Sequence, residues 1–473
     1  MKSYLSKYFQ DYGKLSIELF GTGEITREDS QRNTCNFCAM QFSNGDTYLA
    51  VDSMGSGSLK EFDRKFAFRG VTKTGSIVIV NPQDVDFLLH MCLGSTFIII
   101  YLIHLFTVET PNKTPIRRIN FGLTNFLFTG NNPHGENLIL NLKNLDPISI
   151  QRLPDYTAII ERLKNGKTID VTSELIIPLN GTETIENIIE RCNEICCLLS
   201  ICRGSKIFWT YYHCFNEHGD LVSQTYCDTV TRPLSELPEL ISSKPRGVTA
   251  TIKFLENAYV TLLENAILRK YLLRFSNVFI EAREGRSFIE SRGVRIVVVI
   301  EMLNKYVLED PRFEISEDIL DSSAKQDLKK IIKECSEVIA EQIQDSDTIR
   351  LFNRWNLPTS DAIEAQNKVF NNRADLIINL KGINHTPFKK LVIRLCEKIN
   401  LNATPDEIQW FVCCRNTLIH TGKYYSDSKG DHATHQEYLF LVNFLDKIFL
   451  KLYNYSGEYN NYRKWGSSLE DTI

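Results

Sequence analysis

The chain has 473 residues, enough for two or three domains, and its composition of 43% hydrophobic and 24% charged residues is ordinary for a soluble protein. The formal net charge is −4, from 54 Lys and Arg against 58 Asp and Glu, which excludes a globally basic nucleic-acid-binding chain. The 13 cysteines are scattered and often lie among apolar residues, and the first residues lack the apolar run of a signal peptide. We therefore expect a cytoplasmic protein with reduced cysteines.

The first part of the chain is predicted to be rich in β-strands. Residues from about 15 to 155 carry many β-branched and aromatic side chains, interrupted by Gly, Asn and Pro. The interruptions at 44–46 and 72–76 suit hairpin turns. Further strands are expected at 138–144 and 171–180.

Residues 87–106 form an apolar stretch about long enough to cross a bilayer. The stretch also contains His90, Gly94 and His104, and no positive cluster flanks it. A buried strand or helix of the first domain is the favoured interpretation, and a membrane-anchored regulator is the alternative.

An amphipathic helix is predicted at 182–202, where apolar residues recur at helical spacing. Two strands follow at 206–215 and 221–230, joined by the turn 216–220. Residues 232–247 contain several Pro and Ser residues and mark the expected domain junction. We accordingly place the first, β-rich domain at 1–245.

Beyond residue 245 the hydrophobic period changes to that of helices, so we expect a helical bundle over 246–473 and an α+β fold class for the whole chain. The helix at 285–308 is apolar nearly all round and is expected to be central. Between Ile296 and Met302 its only charge is Glu301. The predicted helices are 251–278, 285–308, 322–343, 387–399, 405–421 and 435–453.

The sequence of residues 404–422 contains helix-capping signals at both ends of a predicted helix. Thr404 can cap its amino end, Pro405 fits the first helical position, and Glu407 completes a capping box. Gly422 suits the carboxyl end. On a helical wheel the side chain of Arg415 projects into the apolar stripe formed by Ile408, Phe411, Val412, Leu418 and Ile419, where a charge is costly unless it is paired.

Arg415, Asn416 and His420 form the pattern R-N-x-x-x-H, with Asn416 and His420 one turn apart on the border of the stripe. This pattern resembles the signature of HEPN domains. With its β-rich first half, the whole chain is similar to ApeA-type anti-phage proteins, in which a β-rich amino-terminal domain precedes a carboxyl-terminal HEPN bundle. The resemblance implies a metal-independent ribonuclease that needs no cofactor and acts as a homodimer with the two motifs facing one another.

The residue types suit cleavage of RNA by its own 2′-hydroxyl. His420 can exchange a proton near neutral pH, Arg415 can clamp a phosphate, and Asn416 can orient the phosphate or the imidazole. Lys423 follows the motif directly and is a candidate for substrate contact. Lys390 and Arg394 lie at four-residue spacing with Lys398 and predict either a basic stripe along a phosphate backbone or a solvated helix face.

The resemblance also implies a role in abortive infection, with a phage-derived trigger at the amino-terminal domain and no membrane partner. Two other interpretations stay open. Arg415 could pair with Glu301 in a purely structural role, or Glu301 could hold Arg415 until a phosphate arrives. The domain could also be a non-catalytic module that binds RNA or a nucleotide.

Metal binding has only weak support in the sequence. Cys35 and Cys38 form a single C-x-x-C pattern without a second pair, so a strand is the favoured interpretation. Asp431, His432 and His435 form a D-H-x-x-H group that is expected to be a polar turn. We therefore predict no metal site.

Overall fold

The fold is known from a computed structural model of the chain. It describes residues 15–27, 32–53, 65–93, 96–111, 114–128, 137–154, 156–164, 170–180, 183–228, 237–242, 245–283, 288–314, 330, 387–461 and 470–472.

A 14-stranded sheet dominates the amino-terminal half, and its neighbouring strands pair in antiparallel fashion. The spatial order is β10-β11-β12-β9-β13-β14-β8-β5-β4-β1-β2-β3-β7-β6. The strands are β1 (Leu15–Arg27), β2 (Arg32–Phe42), β3 (Thr47–Ser53), β4 (Phe66–Thr72), β5 (Ile77–Val80), β6 (Val85–Leu93), β7 (Thr96–Ile103), β8 (Leu105–Glu109), β9 (Arg118–Thr124), β10 (Asn137–Leu140), β11 (Ile148–Arg152), β12 (Val171–Pro178), β13 (Trp209–Phe215) and β14 (Leu221–Cys227).

Alternation along the strands divides the apolar side chains between the two faces of the sheet. One face carries the larger cluster, which includes Phe37 and Phe68, and the other carries a cluster around Met40 and Ile98. On the first face a β-carbon at Gly21 would lie 2.0 Å from the carbonyl oxygen of Val71, so strands β1 and β4 approach closely only because this residue is glycine.

The apolar stretch 87–106 belongs to this sheet. Apart from His104, which lies between β7 and β8, its described residues lie in β6, in β7 and at the start of β8, and β6 and β7 form an antiparallel pair. Of the two forms that the favoured interpretation allowed, a strand or a helix, the described residues of this segment form strands. Among the described residues, no helix has the length and apolar character needed to cross a membrane.

The described part of the chain contains eight α-helices, six of which begin at or after residue 245. The α+β fold class with a β-rich first half is thereby confirmed. Together with a short pair of strands, β15 (Glu458–Asn460) and β16 (Glu470–Thr472), the helices are α1 (Tyr156–Lys164), α2 (Ile185–Arg203), α3 (Pro245–Glu264), α4 (Ala266–Arg283), α5 (Ile289–Glu309), α6 (Phe388–Lys398), α7 (Pro405–Thr421) and α8 (Asp431–Leu452).

Two of the helix predictions need comment. The single helix expected at 251–278 is two helices, α3 and α4, because Asn265 interrupts it and accepts a hydrogen bond from the backbone N–H of Leu268 through its side chain, at 2.9 Å. The helix expected at 322–343 lies outside the described residues, apart from position 330.

Residue contacts divide the chain into two compact units. The first comprises 1–302, 399–401 and 413–473, and the second comprises 303–398 and 402–412. The predicted boundary at 245/246 falls within the first unit, where Arg283 of α4 donates a hydrogen bond to the carbonyl of Pro238. The division into a domain at 1–245 and a domain at 246–473 stays a prediction.

The expectation that the helix at 285–308 is central holds for only one side of α5. Ile296, Val299 and Ile300 are buried, whereas Val294 and Val298 are 59% and 46% exposed. The sequence could not show this difference, because valines occupy both sides of the helix.

Candidate active site on helices α5 and α7

The ends of α7 agree with the signals in its sequence. The backbone N–H of Glu407 donates to the Thr404 hydroxyl at 3.1 Å, and the Glu407 carboxylate accepts the Thr404 backbone N–H at 3.0 Å, which completes the capping box. At the other end Gly422 has a φ of +68°, and its N–H donates to the carbonyl of Leu418. Local sequence therefore fixes the segment that carries the motif.

Arg415 is the centre of the candidate site. Its Nε donates to the Oε1 atom of Glu301 at 3.0 Å, and Nη2 donates to the same oxygen. Its Nη1 donates to the Oδ1 atom of Asn416 at 3.0 Å. The pairing of Arg415 with Glu301 that the apolar surroundings suggested is therefore present.

The exposure of this pair is asymmetric. The Arg415 side chain is only 16% exposed, whereas the Glu301 side chain is 42% exposed. A pair of this kind is partly screened by water, so its contribution to stability is modest. A stronger anion at the same place could compete with the carboxylate for the guanidinium.

His420 lies one helical turn beyond Asn416, on the same side of α7. It is exposed, and it makes no hydrogen bond or ion pair with the described part of the chain. Its imidazole is therefore accessible for proton transfer. Ile419, predicted to lie in the apolar stripe, is 37% exposed and stands next to it.

The three predicted basic residues differ in their surroundings. Lys423 is exposed just beyond the end of α7, and Lys390 is exposed on α6. Arg394, also on α6, donates to the carboxylates of Glu314 and Glu397. Within the second unit Arg394 is thus engaged in intramolecular ion pairs, and Lys390 is the more accessible cation of the two.

Sequence reasoning missed Glu437, which lies on α8 and is 3% exposed. Its carboxylate accepts the backbone N–H groups of Tyr425 and Ser426 at 3.0 and 2.8 Å, and also the Ser426 hydroxyl. It thereby holds the loop that follows His420. The available signal was a carboxylate in the otherwise apolar sequence of α8, which also carries Asp446, much as Glu301 stands out on α5.

The same carboxylate also influences Cys414, the residue before Arg415. Burial is the main reason that the pKa of the Cys414 thiol is raised, and the negative charge of Glu437 adds to it. Cys414 is therefore a protonated, buried packing residue rather than a nucleophile.

The other weak signals have structural explanations. Cys35 and Cys38 lie buried within β2, as the favoured interpretation expects. Asp431, His432 and His435 lie in the first turns of α8 rather than in a polar turn. Among the described residues, no group of three or more His, Cys, Asp or Glu side chains could hold a metal ion.

Comparison of the chain with protein-family models, with curated proteins and with solved structures gave no match.

Proposed function

We propose that the chain is a metal-independent endoribonuclease that acts in anti-phage defence. The observation that carries this proposal is the arrangement around Arg415, whose guanidinium contacts both Glu301 and Asn416, with an exposed His420 one turn beyond. A fixed cation, an amide and a titratable imidazole thus lie within six residues of one helix.

These groups suit transesterification of RNA. The 2′-oxygen attacks the adjacent phosphorus, a bond forms between them, and the bond from phosphorus to the 5′-oxygen breaks. An imidazole takes the proton from the 2′-hydroxyl, and a second imidazole in its protonated form gives a proton to the departing 5′-oxygen. Arg415 stabilises the negative charge that develops on the phosphoryl oxygens. The products are a 2′,3′-cyclic phosphate and a 5′-hydroxyl.

In this proposal Glu301 holds Arg415 in position until the substrate binds. The carboxylate fixes the position of the guanidinium before substrate arrives. A phosphate then replaces the carboxylate, because Glu301 is exposed enough to turn toward water. Asn416 keeps its contact with Nη1 and so preserves the direction of the guanidinium during the exchange.

A second copy of the chain supplies the second imidazole. Val294 and Val298 lie on the same side of α5 as Glu301, since the three residues are separated by four and three positions. Both valines are exposed, as is Ile419 beside His420. Apolar side chains clustered around a polar site are typical of a protein–protein interface, and a two-fold axis there would bring two copies of the motif together.

The Val298→Asp variant tests this interface. A carboxylate buried in an apolar interface is costly, so we expect the variant to be monomeric at concentrations at which the wild type is dimeric, and to lose most RNA cleavage. Sedimentation would give the mass, and Leu273→Asp on α4, at a leucine that is 56% exposed, is the matched control. A wild-type monomer with full activity would contradict the proposed dimer.

The amino-terminal half is proposed to restrain the nuclease until a phage-derived trigger binds it, in the cytoplasm of the infected cell. An unrestrained ribonuclease would damage its host. The full-length chain is therefore expected to cleave cellular RNA in infected cells and to leave it intact in uninfected ones. Sequencing of RNA ends in both conditions would test this regulation.

Incubation of the activated protein with total RNA and EDTA tests the activity itself. We expect cleavage to continue under chelation and to leave cyclic-phosphate and 5′-hydroxyl ends. Retention of RNA without cleavage, with or without added metal, would favour the alternative of a non-catalytic module that binds RNA or a nucleotide. Cleavage that stops on chelation would contradict the metal-independent chemistry.

A further inference from the structure

A second group of basic side chains lies beside the candidate active site. Arg292 of α5 and His435 of α8 both approach the ring of Tyr438: the guanidinium carbon is 5.3 Å and the imidazole centroid 6.2 Å from the ring centroid. Tyr438 is fully buried, and its hydroxyl donates to the carbonyl of Ala282 at 3.2 Å, so the ring is a fixed support for both groups.

His432 completes the group from the preceding turn of α8. It is exposed, whereas Arg292 and His435 are half-buried. Burial lowers the pKa of His435 below its usual range, and the positive charge of Arg292 and then that of His432 lower it further. The charged neighbours that shift the pKa of His435 are therefore both cationic.

Two carboxylates of α8 lie nearby in sequence. Asp431 is exposed at the first position of the helix, next to His432. The Glu437 carboxylate is engaged by the backbone of Tyr425 and Ser426. The polar surface formed by Arg292, His432 and His435 thus has the character of an anion site rather than that of a metal site.

The position of this basic group relates it to the active site. Arg292 precedes Gly293, where a β-carbon would lie 2.8 Å from the Leu418 side chain, so α5 and α7 pack closely at this point. Glu301 lies nine residues further along α5, a rise of about 13.5 Å. A phosphate at Arg292 would therefore be a different one from the phosphate at Arg415.

We propose that Arg292, His432 and His435 form a second phosphate subsite, which holds a non-scissile phosphate of the RNA strand and grips it more tightly as the pH falls. This inference rests on the proposed function, because it takes RNA as the substrate. It gives the D-H-x-x-H group a role in substrate binding through its two histidines.

The sign of the pH dependence follows from the charges. In the free protein the pKa of His435 is low, so the imidazole is neutral near pH 7. A bound phosphate favours the imidazolium and raises the pKa in the complex. Binding therefore takes up a proton, and affinity increases as the pH falls from the pKa of the complex to that of the free protein.

The test uses the full-length chain and a short 2′-O-methyl RNA strand, which binds but cannot be cleaved. Fluorescence anisotropy between about pH 5.5 and pH 8 is expected to show a several-fold gain in affinity toward acid. His435→Gln should remove most of this gain and keep the affinity at high pH. His218→Gln, at an exposed hairpin turn, is the matched control and should retain the gain.

Arg292→Met gives an independent measurement. It should weaken binding across the pH range and reduce the slope of log affinity against log salt by about 0.7, which corresponds to one phosphate contact on a single strand. Arg295→Met is its control, because it removes the same charge from the same helix at a guanidinium that donates to the carbonyl of Glu281. The unfolding midpoints of all four variants would show that they fold.

Two outcomes would overturn the subsite: a His435→Gln variant with the wild-type pH dependence, or an Arg292→Met variant that matches Arg295→Met. Absence of any binding by the wild type would also overturn it. The expected binding pattern without cleavage of ordinary RNA would support the subsite and instead count against the proposed ribonuclease.

Discussion

The His420→Ala variant is expected to lose about 10²–10⁴-fold in the rate of RNA cleavage, because it removes the group that exchanges protons with the ribose and the leaving oxygen. His420 is exposed and makes no hydrogen bond with the described residues, so the unfolding midpoint should stay that of the wild type. Cleavage of a labelled RNA by the purified, activated protein measures the rate.

Arg415→Ala is expected to reduce the same rate by at least about 10²-fold, through loss of charge stabilisation in the transition state. Arg415→Lys should recover little, since the three donors of an ammonium lie on one nitrogen, whereas three separate nitrogens of Arg415 contact Glu301 and Asn416. Glu301→Gln should retain cleavage, because the neutral amide weakens the contact with Arg415 but leaves the guanidinium in place.

His218→Ala is the control for these variants, because it removes an exposed histidine in the turn between β13 and β14. Wild-type cleavage by both His420→Ala and Arg415→Ala would remove the proposed catalytic assignment. A loss in Glu301→Gln as large as that in Arg415→Ala would show that the carboxylate does more than hold the guanidinium.

The fold could be predicted wherever local signals decide it. The limits of α7 agree with the prediction because Thr404, Glu407 and Gly422 satisfy its ends through hydrogen bonds within a few residues. The break at Asn265 was missed, since the apolar period continues through it. The order of the strands in the sheet could not be predicted, because pairs such as β14 with β8 join residues more than 100 positions apart.

The candidate site was predictable for a different reason. A lone guanidinium in one apolar helix and a lone carboxylate in another cannot both be buried unpaired. This argument identified Arg415 and Glu301 as possible partners from the sequence. Glu437 is also a buried carboxylate that needs a partner, but its partners are backbone N–H groups of a loop. Every residue except proline has a backbone N–H, so the sequence could not identify these partners. The sequence did not identify Arg292 as a site residue, because His435 and Tyr438 become its neighbours only when α5 packs beside α8.

The largest effect on stability is expected for the ion pair between Arg283 and Asp446. Both side chains are 0% exposed, and the guanidinium also donates to the carbonyl of Pro238. Gly204, at the end of α2, has no room for a β-carbon beside that guanidinium. The pair therefore joins α2, α4, α8 and the segment before α3 inside the first unit.

Arg283→Met should lower the free energy of unfolding by about 3–5 kcal/mol, because it leaves the carboxylate of Asp446 buried without its cation. Asp446→Leu should have a comparable cost for the converse reason. The double variant should cost clearly less than the sum, since neither charge then remains. Urea unfolding measures the three values.

Lys143→Met is the control, because its ion pair with Glu264 is 48% and 64% exposed and should contribute less than about 1 kcal/mol. Additive costs in the double variant would show that Arg283 and Asp446 are not coupled.

The same ion pair bears on the amount of active protein. It holds α8, the helix whose Glu437 also binds the loop after His420, so loss of the ion pair should reduce the amount of folded protein. Cleavage per folded molecule should stay unchanged, in contrast to His420→Ala, because neither Arg283 nor Asp446 belongs to the motif on α7.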